Sequence, residues 1–325
     1  MIRRADDGVT FGVEQITVDD LPPGEVLIQV ACSSLNYKDA LACQGHPGVA
    51  PNLPHVPGID CAGHVVTAPP GSDFLPGEPV LITGYELGAP KWGGLCEYVR
   101  VPAEWVVSLP GGLSLEEAMT YGTAGFTAAQ CVTAIVDRGI APADGDVVVT
   151  GATGGVGSVA VAILAKLGYR VVAVTGKPDQ AEWLKRLGAT ELVGRETVSD
   201  ASDKPLLRER WAAAVDTVGG ATLATLVRSM KHRGVIAACG LVGGDQLPLT
   251  VYPFILRGVT LAGIDSAKCP RAPRMEMWAK LSGQWKVDQL AELRREIPLD
   301  AVPAEVANML AGKSHGRVVV RLTEG

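Results

Sequence analysis

The stretch Val147-Val148-Val149-Thr150-Gly151-Ala152-Thr153-Gly154-Gly155-Val156-Gly157-Ser158-Val159-Ala160 decides the fold, because an apolar run of strand length passes into a glycine loop and then into small residues. The β-branched residues from Val147 to Thr150 suit a buried parallel strand, and Ser158 to Leu167 reads as a helix with Ala and Leu on its packing face, ended by Gly168. Gly151 allows a tight exit from the strand, Gly154 and Gly155 let backbone N–H groups approach a pyrophosphate, and Gly157 lets the helix pack close to the sheet. Arg170-Val171-Val172-Ala173-Val174-Thr175 follows as a second strand and completes a βαβ unit. A glycine loop by itself can be a bare turn. In this context GxxGGxG reads as a dinucleotide cradle, with Thr153, Gly154, Gly155 and Val156 at the phosphates.

The tip of the second strand bears on the choice of cofactor. An NAD site uses an Asp or Glu there to accept hydrogen bonds from the ribose 2′-hydroxyl, whereas a 2′-phosphate is repelled by a carboxylate and attracted by a cation. Here the strand ends Thr175-Gly176-Lys177-Pro178, and Arg195 follows the short apolar run Glu191-Leu192-Val193-Gly194 at the tip of the next strand. Thr175 offers a hydroxyl, Gly176 leaves room, and the two cations suit NADPH rather than NADH. Read blandly, both cations are solvated surface residues.

Further along, Ala212 to Gly220, Gly234 to Gly240 and Gly258 to Ile264 are apolar runs ending in Gly, Asp or Thr. Strands alternating with helical segments predict a doubly wound parallel sheet of about six strands. Residues 1 to about 118 have another texture, short apolar runs divided by Pro and Gly, which is an all-β pattern. Strands are expected at Glu25–Cys32, Gly63–Thr67, Glu78–Ile82 and Gly93–Val99, with a short helical stretch from Asn36 to Leu41. Ser114 and Glu117 form a capping-box pattern that opens a helix leading into the second domain. After Ser266, helices are expected at 275–281, 288–295 and 304–310. A closing strand, Arg317 to Leu322, is expected to return to the β domain.

Composition sets the outer limits. The 325 residues, 47% of them hydrophobic, suffice for two domains, each with its own core. A net charge of −6 with interspersed signs leaves no basic stripe for nucleic acid. No apolar h-region or membrane-length apolar run occurs, so a soluble, cytoplasmic protein is expected. The seven scattered cysteines include no CxxC pair and read as reduced thiols, neither a disulfide framework nor a zinc cluster.

Taken together, Ser34-Leu35-Asn36-Tyr37-Lys38-Asp39, Val56-Pro57-Gly58-Ile59-Asp60, Tyr121-Gly122-Thr123-Ala124-Gly125-Phe126-Thr127-Ala128 and the glycine loop resemble the zinc-free quinone-oxidoreductase branch of the medium-chain dehydrogenase/reductase superfamily. The resemblance covers essentially the whole chain. Within that branch, Thr175-Gly176-Lys177 with Arg195, Ala238 to Gly244, Tyr252 to Val259 and Gly263-Ile264-Asp265-Ser266 look like the acrylyl-CoA reductase family. The resemblance implies an α/β protein with a GroES-like β-rich catalytic domain, residues 1–118 and 267–325, and a Rossmann NADPH-binding domain, residues 119–266. It implies NADPH-dependent reduction of the double bond of a short enoyl-CoA, acrylyl-CoA to propanoyl-CoA. An NADPH quinone reductase and a non-catalytic NADPH-binding redox sensor are the alternatives. Zinc-binding members carry Cys where this chain has Asn36, and a His-Glu pair where it has Ile59-Asp60, so no metal is expected.

The resemblance also assigns roles. Tyr37 is expected at the nicotinamide ribose and as a possible proton donor, Asn36 near the developing oxyanion, and Asp60 as an orienting carboxylate for Lys38 or a backbone donor. Leu241, Ile255 and Ser266 are expected to line the nicotinamide, with Arg317, at the end of residues 313–317, closing over the pyrophosphate. Lys268, Arg271 and Arg274 form the densest local positive charge and are the candidates for CoA phosphates. The segment Tyr252 to Ile264 implies a homodimer paired edge to edge.

Overall fold

A computed structural model describes residues 1–6 and 8–322, and the chain divides into two compact units. Unit 1 comprises Met1–Thr123, Ala267–Ser282 and the chain from Leu290 on; unit 2 comprises Ala124–Ser266 and Gly283–Gln289.

Unit 1 is built on strands. A hairpin, β1 (Ile2–Ala5) and β2 (Gly8–Phe11), precedes the long β3 (Val26–Leu35), β4 (Asp60–Thr67), β5 (Pro79–Thr83), β6 (Tyr98–Val101) and β7 (Val107–Ser108). β3 alternates buried Val26, Ile28 and Val30 with more exposed neighbours before becoming buried on both faces at Cys32 to Leu35, where it enters the site region. It pairs antiparallel with both β4 and β6. The helix α1 (Tyr37–Cys43) follows β3 directly, with Asn36 as N-cap and Asp39 completing a capping box.

Unit 2 holds the parallel sheet. Its strands are β8 (Val147–Val149), β9 (Val171–Val174), β10 (Glu191–Val193), β11 (Trp211–Asp216), β12 (Met230–Ala238) and β13 (Thr260–Gly263), in the spatial order β10-β9-β8-β11-β12-β13. All pairings are parallel, as the alternating pattern predicts. The order reverses at β8, so the glycine loop leaves the sheet at its topological switch point.

The helix α2 (Leu115–Val136) begins in unit 1 and ends in unit 2, and it is interrupted at Gly122, whose φ is 50°. In the C-terminal part of the chain the structure departs from expectation. Arg271–Ser282 and Val302–Leu310 are helices as expected, but of 288–295 only Leu290–Leu293 is helical, and Arg294–Pro298 is a strand, β14, parallel to the closing strand β15 (Arg317–Arg321). β15 then pairs antiparallel with β3, returning to the β domain. No helix among the described residues is long and apolar enough to cross a membrane.

Candidate active site

In unit 2 the glycine loop passes from β8 into α3 (Gly155–Lys166), with Gly154 as N-cap. The helix starts three residues earlier than its apolar pattern suggests, so Gly155, Val156 and Gly157 form its first turn. The N–H groups of a first turn have no partner within their own helix and point along its axis, which suits an anionic phosphate. A Cβ at Gly157 would collide with the Gly151 carbonyl oxygen and come within 2.9 Å of the Ala152 Cα, so only glycine permits this close return. The loop is braced by Asp216 at the tip of β11, a residue the sequence reading had not singled out. Asp216 accepts from Thr150 Oγ1 at 2.6 Å and from the Gly219 N–H at 2.8 Å, while Thr150 Oγ1 accepts from the Thr217 N–H at 3.0 Å. Burial pushes the Asp216 carboxyl above the usual aspartate range.

At the tip of β9 the expected cations come together. A Cβ on Gly176 would lie 2.6 Å from Arg195 Nε and 2.7 Å from its Cζ, so the guanidinium lies across the bare glycine. Desolvation, and secondarily the Arg195 charge, pull the Lys177 ammonium below its ordinary value, partly offset by Asp179. Thr175 Oγ1 accepts from the Lys177 N–H at 3.0 Å. Two neighbouring cations around a glycine gap form an arrangement that an anion would relieve.

In unit 1 the motif Asn36-Tyr37-Lys38-Asp39 alternates in burial. Asn36 is 8% exposed and Asp39 is fully buried, whereas Tyr37 is 47% exposed and Lys38 also faces solvent. Asp39 accepts from the Asn36 N–H at 2.8 Å, the Ile59 N–H at 2.9 Å and the Gly58 N–H at 3.1 Å, tying α1 to the proline-bounded loop. Burial, then the charge of Asp60, pushes the Asp39 carboxyl up to about 7 against those three donors. Asp60 is the hub of a second set. It accepts from Ser34 Oγ at 2.7 Å, Asn36 Nδ2 at 2.7 Å, the Thr123 N–H at 2.9 Å and Thr123 Oγ1 at 2.5 Å. The interruption at Gly122 frees that Thr123 N–H, and Gly122 lacks a side chain where one would strike Ser34, Asp60 and Arg317.

This geometry corrects two expectations. Arg317 is not available to a pyrophosphate: it is 3% exposed and donates to Thr120 O, Leu35 O, Asn36 Oδ1 and Ser34 Oγ at 2.9–3.4 Å, all within unit 1. Asn36 is not a spare oxyanion donor, since Nδ2 already donates to Asp60 and to Ser34 O, and Oδ1 accepts from Arg317. Of the two roles expected for Asp60, it takes the second: it orients a backbone donor, the Thr123 N–H, rather than Lys38. The cluster offered for CoA also dissolves. Arg274 is fully buried, donates to Thr83 O at 2.6 Å and to Ala267 O at 3.1 Å, and lies 4.1 Å over the Tyr85 ring. Arg271 donates to Glu104 O and Val106 O. Lys268 and Arg271 are both exposed, and only Arg274 is buried. Leu241 and Ile255 are each 68% exposed in unit 2, and Ser266 is half-buried.

Two family descriptions match this chain: "Alcohol dehydrogenase GroES-like domain" over residues 22–111 and "Zinc-binding dehydrogenase" over residues 155–282. YhfP of Bacillus subtilis (strain 168), named as a quinone oxidoreductase, is 47% identical over 321 residues, covering 98% of this chain and 97% of its own. The chain belongs to the medium-chain dehydrogenase/reductase family. Acrylyl-CoA reductase AcuI of Ruegeria pomeroyi is 47% identical over 310 residues, covering 95% of this chain and 93% of its own. Among solved structures, the yhdH oxidoreductase of Salmonella enterica in complex with NADP superposes with a TM-score of 0.95 at 45% identity, covering 99% of this chain and 98% of its own. Bacillus subtilis yhfP with NAD bound gives 0.95 at 47% identity, covering 99% and 98%. Membership makes the chain an oxidoreductase with the GroES-like and Rossmann-type parts described above.

Although one description mentions zinc, no group of three or more His, Cys, Asp or Glu side chains gathers among the described residues as a metal set. None of the seven cysteines is in a disulfide, and burial pushes Cys32, Cys43 and Cys96 up to about 12, which makes them poor nucleophiles at neutral pH. A cavity of about 720 Å3 in unit 1 is lined by Phe11, Ile16, Cys43 and Leu299 among others, but not by Asn36, Tyr37 or Asp60.

Proposed function

We propose that the protein is an NADPH-dependent reductase of the α,β double bond of a short enoyl-CoA, taking acrylyl-CoA to propanoyl-CoA. The observation that carries the cofactor is Arg195 lying across Gly176 beside Lys177, at a strand tip with no carboxylate, where a 2′-phosphate fits and a bare 2′-hydroxyl finds no acceptor carboxylate. NADP bound to the Salmonella relative supports the same choice, while NAD bound to the Bacillus relative is the reason to test it. The 47% identity to an acrylyl-CoA reductase supports the substrate.

Bound NADPH would supply a hydride to the β-carbon of the substrate. The chain's own residues then have four tasks. Thr153, Gly154, Gly155 and Val156 hold the pyrophosphate at the start of α3, and Thr175, Gly176, Lys177 and Arg195 hold the 2′-phosphate. Leu241, Ile255 and Ser266 line the nicotinamide half. Tyr37, whose hydroxyl is the half-exposed polar group of its motif, holds the ribose, and a proton reaches the α-carbon from water or from that hydroxyl. Neither Asn36 nor Arg317 is free for these tasks. No step calls for a metal.

A second reading, NADPH-dependent quinone reduction, has its own support. Two of the three cations offered for CoA phosphates are engaged inside unit 1, and a 47% relative is named as a quinone oxidoreductase. Steady-state NADPH oxidation with acrylyl-CoA, crotonyl-CoA and benzoquinone decides between them. The proposal expects kcat/KM for acrylyl-CoA to exceed that for benzoquinone by about tenfold or more, a difference of about 1.4 kcal/mol in transition-state binding. The reverse order assigns the chain to quinones, and binding of NADPH with no turnover of either assigns it to a non-catalytic sensor. The proposal includes a cytoplasmic location and a homodimer, the dimer supported by exposed Val251, Ile255 and Leu256 at the Tyr252–Arg257 helix, which packs on β12, the neighbour of the edge strand β13.

A further inference from the structure

We propose that the buried pair Asp60 and Arg317 serves, through Asn36, as the positioning device for the working residues of unit 1: it fixes the Asn36 carboxamide, and with it the start of α1 from which Tyr37 and Lys38 reach solvent. This rests on the reaction assigned above for the meaning of "working", but its geometry stands without it.

A carboxamide has two donors and one oxygen acceptor, and turning it over exchanges them. In Asn36 the nitrogen donates to the Asp60 carboxylate at 2.7 Å and to Ser34 O at 3.1 Å, while the oxygen accepts from Arg317 Nη1 at 3.2 Å. Reversal would set the oxygen against a carboxylate and the nitrogen against a guanidinium. The charged pair therefore permits one orientation only. Ser34 joins the two charges, its hydroxyl donating to Asp60 and accepting from Arg317 at 2.9 Å. Asp60 and Arg317 themselves are 3.9 Å apart at their nearest atoms, so the pair acts mainly through the groups between them.

Asn36 is held by its side chain from one direction and, through its backbone N–H, by Asp39 from another. Asp39 is held in turn by Gly58 and Ile59, and Ile59 is followed by Asp60. The two anchored residues bracket Tyr37 and Lys38, so their Cα–Cβ directions follow from buried contacts rather than from their own. A buried ion pair is a costly way to hold a fold, because desolvation offsets much of its attraction, and well-packed apolar groups would serve stability as well. Control of one amide's orientation is a task that apolar groups cannot perform. Asp60 and Arg317 are thus positioning residues, not catalytic ones.

The test uses the full-length protein labelled with 3-fluorotyrosine, whose six tyrosines should give up to six fluorine resonances, with Tyr37 assigned from Tyr37→Phe. In Asp60→Asn and in Arg317→Lys the Tyr37 line should shift, broaden or split while the other five hold. On folded protein, KM for NADPH should rise about threefold or more, as in Tyr37→Phe, with kcat changed less than about twofold, the pattern of a misplaced ribose contact. The exchanged variant Asn36→Asp/Asp60→Asn returns a carboxylate to Arg317 and an amide donor to that carboxylate, and it should recover the wild-type Tyr37 line and a near wild-type KM for NADPH. An unmoved Tyr37 line overturns the proposal. So does movement of all the lines together with loss of thermal stability, which would assign the pair to the fold alone. If wild type fails to reduce acrylyl-CoA, the assigned reaction fails, while the fluorine result still decides the positioning role.

Discussion

Replacing Lys177 and Arg195 together by alanine should cost NADPH its preference and leave NADH nearly untouched. The guanidinium of Arg195 sits within 2.6–2.9 Å of where a Gly176 Cβ would be, and its charge already depresses the Lys177 ammonium behind the larger effect of desolvation. A phosphate dianion entering there, where Asp179 already offsets the Arg195 charge at Lys177, would make charge-assisted contacts with both cations, each of the class that contributes about 1.5–3 kcal/mol. Arg195 is exposed and Lys177 half-buried, so solvent screening favours the lower end, about 3 kcal/mol for the pair or roughly a hundredfold in Kd. Fluorescence titration of wild type and Lys177→Ala/Arg195→Ala with NADPH and with NADH at fixed ionic strength measures both constants. Raising the salt should narrow the wild-type gap between the two cofactors. Equal loss for NADPH and NADH, or a wild type that binds NADH more tightly, would refute the reasoning, and the second result would align the chain with its NAD-bound Bacillus relative.

Tyr37→Phe should act mainly on binding, raising KM for NADPH several-fold; a loss of about a hundredfold in kcat at constant KM would instead make the hydroxyl the proton donor. Arg274→Met should lower stability by about 2–4 kcal/mol by stranding the Thr83 and Ala267 carbonyls, as read by urea denaturation, while leaving KM for acyl-CoA unchanged, since the guanidinium faces inward. Because Asp39 is raised to about 7 in the fold from 3.8, the native state holds a proton that the unfolded chain releases, so wild type should lose stability as pH rises from about 4 to about 7. Asp39→Asn should remove that slope, worth up to about 4 kcal/mol across the window, and a wild-type minus variant difference that stays flat with pH would count against the raised value. Dialysis against a strong chelator should leave the rate unchanged, and elemental analysis should find well under one zinc per chain; activity restored only by added zinc would reverse this.

The parts of the fold that could be read from the sequence are those where one residue type serves one physical need. Apolar runs closed by glycine mark β8, β9, β11 and β12, and the close approach of Gly157 to Gly151 explains why the loop has its spacing. Strand β14 escaped because Arg294-Arg295-Glu296-Ile297-Pro298 is charged on its exposed side and draws its pairing from the distant β15, whereas Leu290 and Leu293 supply a helical spacing for one turn only. Long-range pairing of this kind leaves little local trace. The hairpin β1–β2 has only four residues in each strand, with polar residues interspersed, too little for a period to register. At the site, the motif from Asn36 to Asp39 was recognisable, but its division into two buried anchors and two exposed residues was not. That division follows from Gly58, Ile59, Thr123 and Arg317, three separate stretches of chain.

The arginines show what separates a structural cation from a binding one. Arg317 and Arg274 reach buried acceptors, most of them backbone carbonyls. Arg228 likewise reaches Ser202 O, Lys204 O and Asp200 O, closing the loop that follows β10. A planar fork with five donors is suited to collecting carbonyls that would otherwise be buried without partners, and a phosphate could displace them only by leaving several acceptors bare at about 1–3 kcal/mol each. Arg195 has the opposite surroundings. It is exposed, makes no ion pair among the described residues and lies across a glycine beside another cation. Local charge density in the sequence cannot distinguish these cases, which is why Lys268, Arg271 and Arg274 looked like a phosphate site. The acceptor set does distinguish them: a guanidinium whose donors are already met by the chain holds the chain together, and one left beside a like charge awaits an anion.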